Sequence, residues 1–261
     1  MRLLSSKLCR FTPSFVLFLA LPAVTSANLM TTVSATESYP STPLPGCSNS
    51  GTSSAACSAS FTGTVVIGGV PTPANTSLSA QANSAYGSLF ATVTAHMNPV
   101  GQFNVHADAT FLDTLTLMGG VGNGEISFGF DGTVTNITDI ASTVTFQKDA
   151  GTPQVLSFGN TNILDKPFQF QTAFYSFSYG VPFTIQTSAD ARTVGNGDGF
   201  GTSTLDAELD KIFVLDQNGS PFFGYSITSQ SGTAYPLPEP SSFDLLGTLA
   251  ALVGGLRLKL R

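Results

Sequence analysis

The run Gln102-Phe103-Asn104-Val105-His106-Ala107-Asp108-Ala109-Thr110-Phe111 alternates apolar and polar residues without a break. Successive side chains of a strand point to opposite faces, so Phe103, Val105, Ala107, Ala109 and Phe111 share one side and the polar residues the other. That is the pattern of a half-buried β-strand. The period recurs at Ile126, Phe128 and Phe130, followed by Asp131-Gly132, which reads as a hairpin turn. Phe168 and Phe170, then Tyr175, Phe177 and Tyr179, continue it. Farther on, Lys211–Asp216 and Phe222–Ser229 flank Gln217-Asn218-Gly219-Ser220, another hairpin signal. No strand–helix–strand unit interrupts these short strands, which disfavours a dinucleotide-binding fold. The expected class is all-β, an antiparallel β-sandwich spanning residues 61–235.

Composition agrees. Only 10% of the 261 residues are charged, there is no Trp, and Gly (26) and Phe (21) are abundant. Thr, Val, Ile and Phe favour strands, and glycine favours the turns between them. Six of the ten basic residues lie at the two ends of the chain. Residues 28–235 hold four basic and fourteen acidic residues, a net charge of −10. Such a surface repels a phosphate backbone, so nucleic acid and anionic lipid surfaces are not expected partners.

The ends differ from the body. Met1–Arg10 is basic, Phe11–Val24 is apolar, and Thr25-Ser26-Ala27 is small, the three parts of a secretory signal peptide over residues 1–27. Removing it removes Cys9 and leaves Cys47 and Cys57, which an oxidising compartment is expected to join. Residues 28–60 are rich in Ser, Thr, Pro and Ala and poor in large apolar groups, so they read as a flexible linker around that disulfide.

At the other end, Pro238-Glu239-Pro240 precedes an apolar stretch from Phe243 and a basic tip with Arg257, Lys259 and Arg261. As a helix, Phe243–Leu260 is about 27 Å long, close to the thickness of a bilayer core. A single transmembrane helix is expected, with its basic end in the cytoplasm and the body outside. This tail, residues 236–261, resembles the PEP-CTERM sorting signal of Gram-negative bacteria in all three parts and their order. The resemblance implies an exosortase-type sorting protease as partner, a membrane-tethered precursor, and a cell-surface or extracellular-matrix destination associated with polysaccharide and biofilm. Asp244 departs from an apolar helix but falls at its outer end.

Between the ends the best local chemistry is calcium, the only cofactor suggested. Asn196 and Asp198 fall in a Gly-rich stretch that reads as a turn, and Asp206, Glu208 and Asp210 share one strand face. If the turn folds back over that face, five oxygen-bearing side chains converge. The alternative is a solvated acidic face. His96 and His106 flank Asn98-Pro99-Val100-Gly101 and would face each other across a hairpin, with Asp108 nearby. There is no nucleophile elbow, so no catalytic residue and no enzyme activity is expected. Carbohydrate binding stays open, with Tyr and Phe in place of the absent Trp.

Overall fold

The computed structural model describes residues 27–39, 42–43, 46–137, 142–159 and 163–236. Of residues 38–39, 42–43, 99–100 and 196–198 only the backbone is described. The strands in chain order are β1 (Asn28–Tyr39), β2 (Thr42–Pro43), β3 (Cys47–Gly51), β4 (Ser54–Ile67), β5 (Val70–Ala85), β6 (Ser88–Met118) and β7 (Asn123–Ile137). They continue as β8 (Ser142–Lys148), β9 (Gln154–Phe158), β10 (Ile163–Gln171), β11 (Tyr175–Ser178), β12 (Phe183–Leu215) and β13 (Ser226–Ser229). Every pairing among them is antiparallel.

Two strands of more than 30 residues organise the fold: β6 and β12 pair with each other along nearly their whole length. Their outer neighbours change halfway. Residues 88–98 of β6 and 199–215 of β12 sit between β5 and β7, giving one layer in the order β4-β5-β6-β12-β7-β10. Residues 102–115 of β6 and 183–197 of β12 sit between β1 and β8, giving a second layer, β3-β1-β6-β12-β8-β9. The molecule is therefore two antiparallel sheets in the arrangement of a β-sandwich, sharing two folded-over strands.

The fold-over falls where the sequence suggests turns. Gly197 pairs with Gly101 and Gly199 with Met97, so Asn98-Pro99-Val100 bulges out of the ladder opposite Asp198. Proline has no amide hydrogen to give a ladder, and a bulge bends the strand that carries it. The expected hairpin between the two histidines is thus a bend in a continuous strand. His96 ends up exposed in one layer and His106 half-buried in the other.

The opening alternation holds: Phe103 is 6% exposed, and Val105, Ala107, Ala109 and Phe111 are fully buried. Between β1, β5 and β6 the core is mostly small, with Ala35, Ala80, Ala82, Ala91, Ala95 and Ala107 at 2% exposure or less. Between β7, β8, β9 and β10 it is aromatic. Phe146 lies 4.7 Å from Phe128 and 5.8 Å from Phe130, and Phe158 lies 4.8 Å from Phe168.

Two expectations need correction. Residues 28–60 are not a flexible linker: apart from residues 46 and 52–53 and those outside the described set they form β1, β2, β3 and the first half of β4. β1 pairs with β6 over eleven consecutive positions, and Thr31, Val33, Ala35 and Ala55 are buried. The core positions here are Thr and Ala, so a scan for large apolar residues passes over a true period of two. Cys47 on β3 and Cys57 on β4 form the expected disulfide, Cα atoms 5.8 Å apart, joining the free edges of the two layers. Second, Asp131-Gly132 is no turn but the middle of β7. Gly132 pairs with Phe168, and an added Cβ would lie 2.6 Å from that ring. It would lie closer still, 2.1 Å, to the Asp206 carbonyl oxygen of β12, so the glycine makes room for a neighbouring backbone as well as for an aromatic ring.

Candidate functional site

The expected sorting motif Pro238-Glu239-Pro240, the basic residues Arg257, Lys259 and Arg261, the helix Phe243–Leu260 and the signal peptide all lie outside the described residues. What the structure describes is the place from which the tail departs. It is built on β6. Carrying the alternation of Phe103–Phe111 two residues further puts Asp113 in core phase, and it is fully buried. Four donors satisfy its carboxylate. The Thr114 and Ser231 amides donate to Oδ1 at 2.8 and 3.1 Å. The Ser231 and Tyr235 hydroxyls donate to Oδ2 at 2.6 and 2.7 Å.

The C-terminal segment reaches this carboxylate in steps. β13 pairs with Leu115–Met118, and the Gln230 amide donates to the Thr114 carbonyl at 2.9 Å. The chain then turns at Gly232, whose φ of +78° suits glycine. Tyr235 hooks back beside Gly87 and is only 7% exposed. Burial and the Asp113 carboxylate push its phenol far above the usual tyrosine range, keeping it a donor. The first strand arrives at the same place, since Asn28 pairs with Leu112. Both ends of the folded body are therefore docked on adjacent residues of one strand.

The five calcium candidates do not assemble. Asn196–Gly199 does not fold back over the acidic face, because it belongs to β12 itself. Seven residues of strand separate Asp198 from Asp206, eight steps or about 26 Å of extended chain. The side chains of Asn196 and Asp198 lie outside the described residues. Asp206 and Glu208 do share an outer face, opposite buried Leu205, Ala207 and Leu209. At Asp210 a bulge slips the phase by one, so Ile212 and Val214 resume the core. Asp210 instead accepts from Lys211 at 2.7 Å, and Glu208 stands opposite Asp131. Among the described residues no group of three or more His, Cys, Asp or Glu is placed to hold a metal.

His106 belongs to a polar cluster on the outer face of the second layer. Arg192 stands opposite it on β12 and Asp190 opposite Asp108. His106 Nε2 is hydrogen-bonded to the Asp190 carboxylate, which raises the histidine's pKa. Partial burial raises that of Asp108, only partly offset by the Thr110 hydroxyl at 2.9 Å. The cluster sets the His106 ring against the Asp190 carboxylate, with Asp108 facing Asp190 across the ladder.

Sequence reading missed Asp113 and also Glu37. On β1 Glu37 falls in phase with Val33 and Ala35 and is 6% exposed. Neither of its oxygens has a hydrogen-bond partner among the described residues, nor does the Thr76 hydroxyl beside it on β5. Burial raises its pKa.

Fold and junction together define an antiparallel, disulfide-clamped β-sandwich with both body ends docked on one strand. No family model matches the chain, and no curated protein is similar to it in sequence.

Proposed function

We propose that this chain is an exported, non-enzymatic surface protein, tethered to the membrane through its C-terminal helix and sorted through Pro238-Glu239-Pro240 to the cell surface or extracellular matrix. The observation that carries this reading is the order of parts in the sequence: signal peptide at one end, Pro-Glu-Pro, apolar stretch and basic tip at the other. Three structural facts support it. The first described strand begins at Asn28, directly after the expected cleavage region, so removal of residues 1–27 leaves every described ladder pair in place. The disulfide fits an oxidising compartment. Tyr235 docks on Asp113 three residues before the motif begins. Its partner on this reading is an exosortase-type protease, and the low-charge, hydroxyl-rich body serves a structural role near extracellular polysaccharide.

The test is the intact mass of the protein recovered from envelope and extracellular fractions of its host. Loss of about 27 residues in front, with a cut near Pro238-Glu239-Pro240, is the expected result. A mass that retains Phe243–Arg261, with all protein in the inner membrane, refutes sorting and leaves a plain tail-anchored periplasmic protein.

A further inference from the structure

Three loops meet at one end of the sandwich: residues 119–122 between β6 and β7, residues 179–182 between β11 and β12, and residues 216–225 between β12 and β13. They enclose an open cavity of about 300 Å³. Its lining combines two aromatic residues, Tyr179 and Phe222, with Asp216, Gln217 and Asn218 and the small segment Gly119–Val121.

The aromatic pair is fixed. The two rings meet edge to face with centroids 5.8 Å apart, and Phe177 braces Tyr179 from 4.9 Å. Gly120 lets the Tyr179 ring sit on the backbone, since an added Cβ would come within 2.6 Å of three ring carbons. The polar side is fixed too. Asp216 accepts from the Asn218 and Ser220 amides at 2.8 and 2.9 Å, holding the Gln217–Gly219 turn in place. Gln217 and Asn218 are exposed on that turn. One group is left over. The Tyr179 hydroxyl is buried and has no hydrogen-bond partner among the described residues. Buried hydroxyls are ordinarily satisfied, so this one, on a ring that lines the cavity, would gain from any acceptor or donor that reached it.

We infer that this cavity is a saccharide-binding site for a neutral sugar unit of a larger glycan. A sugar ring offers apolar C–H faces to aromatic rings and a dense set of hydroxyls to amides, a carboxylate and a phenol. The cavity is at the small end of the usual range for ligand sites, about 300–1,000 Å³, which suits a sugar unit. Anionic ligands are disfavoured by Asp216 and by the body's charge of −10. The inference deepens the matrix-associated reading and rests on it only for where the glycan is met. The mass measurement and the binding measurement fail independently.

The test uses the full chain in a detergent without a sugar headgroup. It is screened against neutral oligosaccharides (glucans, galactans, mannans and N-acetylhexosamine oligomers), and the best binder is titrated calorimetrically. Two variants accompany it, Tyr179→Phe and the double variant Gln217→Ala/Asn218→Ala. Each should weaken binding about tenfold, the effect of one well-made hydrogen bond or more. Tyr179→Phe should leave the melting temperature unchanged or raised, because the hydroxyl has no protein partner to lose. No binding by any oligosaccharide, or binding that both variants leave unchanged, overturns the assignment.

Discussion

Replacing Tyr235 with Phe removes one oxygen and nothing else from the junction where the tail departs. The ring stays buried at 7% exposure, so the hydrophobic contribution is retained. What is lost is a 2.7 Å hydrogen bond to a fully buried carboxylate. Bonds to charged groups are each worth about 1.5–3 kcal/mol, so Tyr235→Phe should destabilise the protein by about 2 kcal/mol. Asp113→Ala orphans four donors at once and should cost about 4 kcal/mol or prevent folding. Ser231→Ala removes the other donor to the same oxygen, so its effect should be non-additive with Tyr235→Phe. Urea unfolding followed by far-UV circular dichroism measures these differences; tryptophan emission is no use in a chain without Trp. Limited proteolysis should cut Tyr235→Phe faster around Gln230–Pro236. The Tyr235 pKa is raised, so its contribution is present below the unfolded value near pH 10 and lost only as pH rises through the folded one. A stability change below about 0.5 kcal/mol, the range of ordinary surface substitutions, would refute the latch.

Glu37→Leu should stabilise the protein at neutral pH by about 1–3 kcal/mol, because it removes an unpartnered buried carboxylate. Since the folded pKa is raised, this residue favours the folded state below about pH 4.5 and opposes it as pH rises through the folded value; Glu37→Leu should erase that slope in a melting series. His106 has the same sign at a higher window: its raised pKa makes its contribution complete below about pH 6.5 and lost above the folded value. His106→Gln should flatten the pH dependence of unfolding free energy across that window by less than about 1 kcal/mol, as both partners are a third exposed; an unchanged slope counts against the pairing. Gly132→Ala should destabilise by about 1–3 kcal/mol, because its Cβ would meet the Asp206 carbonyl oxygen at 2.1 Å and the Phe168 ring at 2.6 Å, and equal stability in thermal melts would show that both strand and ring give way freely.

The strands with large alternating residues were legible, and Phe103–Phe111 and Ile126–Phe130 lie where the period puts them. Strands whose core positions are Thr and Ala were not. Thr31, Val33 and Ala35 bury as completely as phenylalanines, but their side chains resemble a linker's. Glycine misled twice, since Gly132 and the Gly195–Gly201 region serve close packing and a strand bend rather than reversals. The acidic face was legible as a face because alternation is local. Its convergence with Asn196 and Asp198 was a tertiary assumption, and continuity of β12 removes it. Asp113 was in reach of sequence reading, as a carboxylate in core phase signals a buried acceptor. Its partners, 118 and 122 residues away, were not.

Placing both body ends on β6 has a consequence for any enzyme that acts on the tail. Tyr235 is anchored in the core, and only Pro236 and Leu237 precede Pro238-Glu239-Pro240. Three extended residues reach about 10 Å, and proline restricts even that. On the sorting proposal, a membrane-bound protease must therefore work against the surface of a folded sandwich unless Tyr235 lets go. Spacing should then limit the rate. Ten Gly and Ser residues inserted after Pro236 would add a flexible reach of about 17 Å and should speed tail removal in the host, measured by pulse-chase and intact mass. Tyr235→Phe should speed it too, by opening the latch more often without lengthening the chain. An unchanged rate in both would mean that the protease meets the motif before the body has closed, which places tail removal ahead of folding.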